Sequence, residues 1–244
     1  LLRDDEQPIF SSVNSNDNMG TAAKKLAGEK AATFVKDGQI IGLGTGSTAY
    51  FAILAIAERV REGLDVKGIP TSEASARLAG ENGIPLIDFS QAERIDVTID
   101  GADEVDAAFT LIKGGGGALL REKIVAAATD HQIIVADDSK LKVKLGAFAL
   151  PVEVTPFGWQ ATRCAIGLLG PEPVLRESGK DPFVTDNGNY ILDCPFEAIT
   201  APGELETALR SIPGVVECGL FVGLTHRVII GNSDGTIQEL AEPG

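Results

Sequence analysis

Lys113 opens the most chemically suggestive stretch of the chain, a lysine followed by four glycines at 114–117 and then by Ala118-Leu119-Leu120-Arg121-Glu122-Lys123. An ordered glycine run costs backbone entropy, so it signals positive φ angles or the close approach of a ligand or another backbone. Here it opens a helix expected over 118–129, whose first amides have no partner within the helix. Lys113, the amides of Gly114, Gly115 and Gly116, and the carboxylate of Glu122 suit an anionic or oxygen-rich small molecule. A flexible glycine-rich loop is the competing reading.

A second element of the same kind lies upstream. The segment 39–49, QIIGLGTGSTA, reads as a short apolar strand that breaks into a Gly/Ser/Thr turn and enters a helix. Glycines let a backbone approach, amides point at oxygens and a helix N-terminus favours negative charge, which is how folds hold a phosphate. Neither nucleotide motif fits: Ser47-Thr48-Ala49 stand where the dinucleotide fingerprint needs its third glycine, and the P-loop's Gly-Lys-Ser/Thr is absent. The turn therefore reads as a monophosphate cup made by Thr45, Gly46, Ser47 and Thr48, with hydroxyls adding donors. A third strand, 95–99, runs into Asp100-Gly101-Ala102-Asp103, and a fourth, 132–136, ends in Asp137-Asp138-Ser139-Lys140. In open α/β sheets ligands bind beyond the carboxyl ends of strands, so all these segments are expected along one edge.

The elements that must position them alternate. A helix over 21–37, closed by Gly38, precedes strand 40–43, helix 48–61, strand 66–70, helix 72–81, strands 85–89 and 95–99, helix 118–129 and strand 132–136. Such alternation predicts an α/β fold with a Rossmann-like, mostly parallel sheet covered on both faces. After Lys140 the pattern changes to 150–154, a helix over 156–169, 173–177 and a hairpin whose Asp186-Asn187-Gly188-Asn189 turn joins 183–184 to 190–192. Helix 203–211 and strand 215–221 complete a βαββαβ pattern, a second and smaller α+β (ferredoxin-like) domain. The expected division is 19–149 with 228–244 for the catalytic domain and 150–227 for the small one, strands 228–230 and 236–240 returning to the first. Residues 1–18 show no period and precede Met19, the only methionine; they read as a disordered extension, a cloning remnant or the product of an upstream start.

Composition narrows the partners. The 244 residues carry a net charge of −14, which argues against nucleic acid and anionic membranes but not against a phosphorylated substrate, because Lys113, Arg121, Lys123 and Lys140 gather in the motifs. No apolar run reaches the length of a membrane span. The three cysteines, Cys164, Cys194 and Cys218, are widely spaced and form no CxxC, and His131 and His226 lie outside the strand-end motifs. No metal site, cofactor or histidine catalysis is expected, and the thiols read as reduced, buried groups of a cytoplasmic protein.

With these motifs in order, the chain resembles the ribose-5-phosphate isomerase type A family. The resemblance rests on GLGTGSTA (42–49), IDGADEVD (99–106), LIKGGGGALLREKI (111–124), ADDSK (136–140), LPVEV (150–154), TDNGNYILD (185–193) and IPGVVECGLF (212–221), and spans roughly residues 20–240. Two departures are visible: Gly116-Gly117 where many relatives carry an alanine, and Asp138 where a small residue is common. The resemblance implies an aldose–ketose isomerase that interconverts D-ribose 5-phosphate and D-ribulose 5-phosphate through an enediolate, with Glu122 as proton acceptor. Such chemistry needs a base, an electrophile for the oxyanion and a phosphate anchor. Lys113 would be the electrophile, Asp100 and Asp103 would hold sugar hydroxyls with one relaying a proton during ring opening, and Lys140 would bind the phosphate or a terminal hydroxyl. Association is expected too, most simply a homodimer, with Phe183, Val184, Tyr190, Ile191 and Leu192 of the hairpin face as its surface. Competing functions are a phosphosugar-sensing module without catalysis and another enzyme of the broad fold, such as an amino-sugar phosphate deaminase or a CoA transferase. The first is disfavoured by Glu122 with Lys113, the second by the placement of both histidines.

Overall fold

The computed structural model of the protein describes residues 15–241. Helix α1 (Ser15–Ala32) leads into β1 (Gln39–Leu43), α2 (Ser47–Arg61), β2 (Val66–Pro70), α3 (Glu73–Glu81), β3 (Ile95–Gly101), β4 (Glu104–Val105), β5 (Leu111–Ile112), α4 (Leu119–Ala127) and β6 (Thr129–Asp137), which a 3-10 turn (Asp138–Lys140) ends. Then follow β7 (Leu150–Val154), α5 (Trp159–Gly167), β8 (Val174–Leu175), β9 (Glu177–Ser178), β10 (Asp181–Pro182), β11 (Tyr190–Cys194), α6 (Pro202–Arg210), β12 (Val215–Cys218), β13 (Leu220–Phe221), β14 (Arg227–Gly231) and β15 (Ile237–Ala241).

The six-stranded central sheet runs β15-β14-β6-β3-β1-β2, all parallel except β15 at one edge. Its inner strands are buried on both faces, so they read as unbroken apolar runs. Period-two alternation divides β6 between two cores: Ile133 and Val135 join Ile53 and Ile56 under α1 and α2, while Ile134 and Ala136 face Leu111 and Phe221. Because β1, β3 and β6 are parallel neighbours, the turns after Leu43, Gly101 and Asp137 open at the same edge.

The smaller unit is an antiparallel sheet, β12-β7-β11-β8, with α5 and α6 supplying Ile166 and Leu209 to a core that includes Val152 and Leu192. This is the expected βαββαβ arrangement. A third, three-stranded sheet, β13-β5-β4, ties the two parts together. The strand expected over 215–221 breaks at Gly219, whose N–H bonds the Pro151 carbonyl (2.8 Å) while its own carbonyl accepts from Lys113 N–H (2.9 Å). The chain thus returns toward the central sheet at Gly219.

Several expectations need correction. Residues 15–18 of the proposed extension are helical; residues 1–14 lie outside the described residues. At its other end α1 stops at Ala32, and the amides of Thr33, Phe34 and Val35 tighten into i→i−3 bonds. Residues 85–89 form only a single bridge, Gly68 to Leu86, because the Asp88 side chain captures the Ser90 amide and turns the chain. The hairpin does not form. Strand β11 pairs with β7 and β8, whereas Thr185 and Asn189 of the turn are held by buried Glu153 at 2.9 Å each. Ile191 and Leu192 are wholly buried within the chain, so they offer no surface to a partner.

Candidate active site

Strand β1 ends beside Asp100, and the turn between them and α2 depends on Gly46, whose φ of +104° is open to glycine and strained for other residues. Helix α2 starts at Ser47 with no side-chain cap, so its first amides face outward. Thr45 differs from expectation. Its hydroxyl turns away into a cluster with Thr71 (2.7 Å), Ser72 (2.8 Å) and Ser75 (3.0 Å), and its amide bonds Asp100 Oδ1 at 2.9 Å. Ser47 and Thr48 are left as the hydroxyl donors of the cup.

The cup is one wall of a cleft of about 120 Å³. Thr45, Gly46, Ser47 and Thr48 line it with Gly101, Ala102 and Asp103 after β3, Lys113, Gly114, Gly115 and Gly116 after β5, Glu122 on α4, and Lys140. That volume lies well below the ~300 Å³ at which drug-sized sites begin, which favours a small polar ligand over a nucleotide. Lys24 of α1 also reaches the cleft, with Asp137 4.0 Å away. Nothing local to Lys24 marks it in the sequence, because a lysine on an amphipathic helix is ordinarily solvated.

Lys113 forms the floor. Only 2 % exposed, its ammonium lies 3.0 Å from Asp100 Oδ2 and 3.2 Å from Glu122 Oε1, and donates to the Gly101 carbonyl at 2.5 Å. Burial by itself favours the neutral amine, but the Asp100 and Glu122 carboxylates outweigh it and hold the proton affinity of Lys113 above its ordinary value. For Glu122 the balance runs the other way. Its burial is the largest influence and pushes the carboxyl up to about 8, Lys113 pulling it down and Asp100 pushing it further up. Glu122 Oε2 is buried and has no hydrogen-bond partner among the described residues. A carboxyl whose affinity lies near neutral pH is matched to taking and returning a proton.

Asp100 is wholly buried and absent from the cleft wall. Its Oδ1 accepts from the amides of Thr45 and Gly101, and its Oδ2 faces Lys113, so both oxygens serve protein groups. Asp103 does reach the cleft, and its Oδ2 accepts the Gly115 amide at 2.7 Å. Arg121 and Lys123 add less positive charge than their sequence position suggested. Arg121 bonds Glu73, Asn187 and the Asp186 carbonyl, and Lys123 is buried between Glu206 (2.7 Å) and Glu217 (2.8 Å). Glu206, Glu217 and Cys218 lie close enough together to suggest a metal site, but the Lys123 ammonium already sits between the two carboxylates there.

A glycine turn and free helix amides at a sheet edge, beside a buried carboxyl and ammonium, make an α/β fold whose cleft is suited to acid–base chemistry on a small anion. Residues 67–235 match the family model of ribose 5-phosphate isomerase A (phosphoriboisomerase A). The chain is 54% identical to ribose-5-phosphate isomerase A 1 of Oceanobacillus iheyensis over 212 residues, covering 86% of this chain and 95% of that one. Among solved structures, ribose 5-phosphate isomerase from Plasmodium falciparum matches with a TM-score of 0.88 and 38% identity, over 92% of this chain and all of the other (100%). A D-ribose-5-phosphate isomerase in complex with phospho-erythronic acid matches with a TM-score of 0.87 and 38% identity, over 92% and 98%. The chain belongs to the ribose 5-phosphate isomerase A family.

Proposed function

We propose that the protein interconverts D-ribose 5-phosphate and D-ribulose 5-phosphate, in keeping with a family named for isomerising ribose 5-phosphate, with Glu122 moving the proton between C2 and C1. The observation that carries the reading is the Lys113 ammonium, sealed between Asp100 and Glu122 at the floor of the cup-lined cleft. Ionised Glu122 takes the C2 proton from the open-chain aldose. Lys113 neutralises the negative charge that develops on O1, the proton of the C2 hydroxyl passes to O1, and the protonated Glu122 returns its proton to C1, leaving the carbonyl at C2. Asp100 acts inward, fixing Lys113 and the turn after β1, while Asp103 is the carboxylate placed to meet sugar hydroxyls and assist ring opening. The phosphate lies against the α2 amides, Ser47 and Thr48, with Lys140 and Lys24 as its cationic neighbours.

The proposal extends to context. The reaction belongs to the non-oxidative pentose phosphate pathway in the cytoplasm, a setting suited to three free cysteines of which two are buried. The catalytic domain comprises 19–149 with 228–244, and the small domain 150–227. The active form is a homodimer. With Ile191 and Leu192 buried, support for association moves to the exposed apolar side chains Val143, Phe157 and Leu168. The test is formation of ribulose 5-phosphate from ribose 5-phosphate without added metal. Turnover with incorporation of solvent deuterium at C1 supports the reading, and absence of turnover at any pH from 6 to 9 on the order of the working range in which Glu122 ionises refutes it.

A further inference from the structure

The glycine run that lines the cleft is held from outside by a residue of the smaller unit. Arg176 lies between β8 and β9, its backbone fixed by bonds from its own N–H to the Ile191 carbonyl (2.8 Å) and from the Phe183 N–H to its carbonyl (2.8 Å). Its side chain faces the loop. Nη1 donates to the Gly114 carbonyl at 2.8 Å and the Gly115 carbonyl at 3.1 Å. Nε and Nη2 grip Asp193 of β11 at 2.9 and 2.5 Å, and the guanidinium lies 5.8 Å from the Phe183 ring. Phe183 itself occupies the place a β-carbon on Gly117 would take, 2.5 Å away.

In a trans peptide the N–H points opposite the carbonyl of the preceding residue, and no cis peptide occurs among the described residues. Fixing the Gly114 and Gly115 carbonyls on Arg176 therefore turns the Gly115 and Gly116 amides to the other side of the loop. The Gly115 amide meets Asp103, a cleft-lining residue, at 2.7 Å. The Gly116 amide has no acceptor among the described residues, and Gly116 lines the cleft. The loop's own Gly117 N–H also bonds the Gly114 carbonyl at 3.0 Å, but no other bond among the described residues of the loop holds the Gly115 carbonyl, so the direction of the Gly116 amide rests on Arg176.

The geometry points to Arg176 as a positioning residue for the isomerisation: braced by Asp193, it locks the Gly114–Gly116 peptides so that the Gly115 amide stays on Asp103 and the Gly116 amide faces the cleft as a fixed donor to a substrate oxygen. The inference rests on the isomerase reading, since it assigns the Gly116 donor to the enediolate rather than to the phosphate. Lysine cannot replace arginine here, because one ammonium cannot present a planar fork to a carboxylate and two carbonyls together.

The test uses Arg176→Met, Arg176→Lys and the double variant Arg176→Met/Asp193→Asn, which leaves no carboxylate without its partner and serves if the single variant fails to fold. Removing one donor from such a site costs roughly 10²–10³-fold in kcat, so a misplaced donor should cost about 10–100-fold. The expected result is a fall of that size in kcat, inhibition by inorganic phosphate within about twofold of wild type because the α2 cup is untouched, and faster hydrogen exchange at the Gly115 amide. Millimolar guanidinium should restore part of the kcat of the Met variant, whereas ammonium should not. Unchanged kcat, or kcat and phosphate affinity falling together without a guanidinium response, would overturn the inference. An inactive wild type would refute the isomerase reading, whereas unaltered exchange at the Gly115 amide in Arg176→Met would refute this one.

Discussion

Glu122→Gln should abolish turnover and, at the same time, make the fold more stable at alkaline pH. Burial raises the Glu122 carboxyl from 4.5 to about 8 in the folded protein. The folded state therefore holds this proton more tightly than the unfolded chain does. Its contribution to stability is fully present below pH 4.5 and is lost as pH rises to about 8. A tenfold change in proton affinity is worth about 1.4 kcal/mol, so the whole loss is on the order of 4–5 kcal/mol. Glutamine keeps the shape and cannot ionise. Between pH 5.5 and 7.5 the variant should thus gain about 3 kcal/mol over wild type, a slope of about one proton. Urea unfolding followed by circular dichroism at four or so pH values gives the difference directly. His131 titrates in both proteins and cancels, and Lys113, raised from 10.5, changes charge above the window. In the same preparations kcat should fall by about 10²–10⁴-fold with KM little moved. A stability difference that stays flat with pH would refute the buried, proton-holding carboxyl, and kcat above roughly a tenth of wild type would refute its role as base.

The neighbours of Glu122 should move the acid limb of kcat/KM in opposite directions. Asp100→Asn removes a charge that raises the Glu122 carboxyl and should shift the limb to lower pH, while Lys113→Met should shift it higher and cost about 3–5 kcal/mol by leaving the buried Asp100 carboxylate without its cation. A pH–rate series on both variants checks the signs. At the cup, Gly46→Val should be more damaging than Ser47→Ala, because φ at Gly46 is +104° whereas one hydroxyl contributes only about 0.5–1.5 kcal/mol; inhibition constants for inorganic phosphate measure it. Turnover should survive strong chelation, and loss of activity in EDTA with recovery on adding a divalent ion would contradict the mechanism.

The parts of the site legible in the sequence were those whose signal is local. Glycines after an apolar strand, a carboxylate after a glycine run and a helix N-terminus are read from adjacent residues, and the cleft contains Thr45, Gly46, Ser47, Thr48, Asp103, Lys113, Glu122 and Lys140 together. What the sequence could not show is direction. Asp100 and Asp103 share one turn, yet Asp100 faces inward to Lys113 while Asp103 faces the cleft. Thr45 sits in the cup motif, but its hydroxyl belongs to a cluster with Thr71, Ser72 and Ser75 from the next turn. Lys24 and Arg176 reach the site across the fold, from 21 residues before Thr45 and 61 after Gly115 respectively, judged from their positions in the chain. In the small unit, the residues Asp186–Asn189 form the turn their types predict, but long-range pairing of β11 with β7 displaces the hairpin that the local pattern suggests.

Glu122 stands between two residues that are tethered to different places. Arg121 is fastened to Glu73 and to the Asp186-Asn187 turn, and Lys123 to Glu206 and Glu217 on α6 and β12. The carboxylate is thus carried on a short beam supported at both ends, and one of its supports belongs to the smaller unit. Damage to that support travels. A substitution at Glu206 or Glu217, which touches no substrate, would tilt α4 and misplace the base by a fraction of an ångström, enough to matter when reacting atoms must meet at about 3–3.5 Å. Inherited or engineered changes in the smaller unit can therefore silence the enzyme while leaving every residue of its cleft intact.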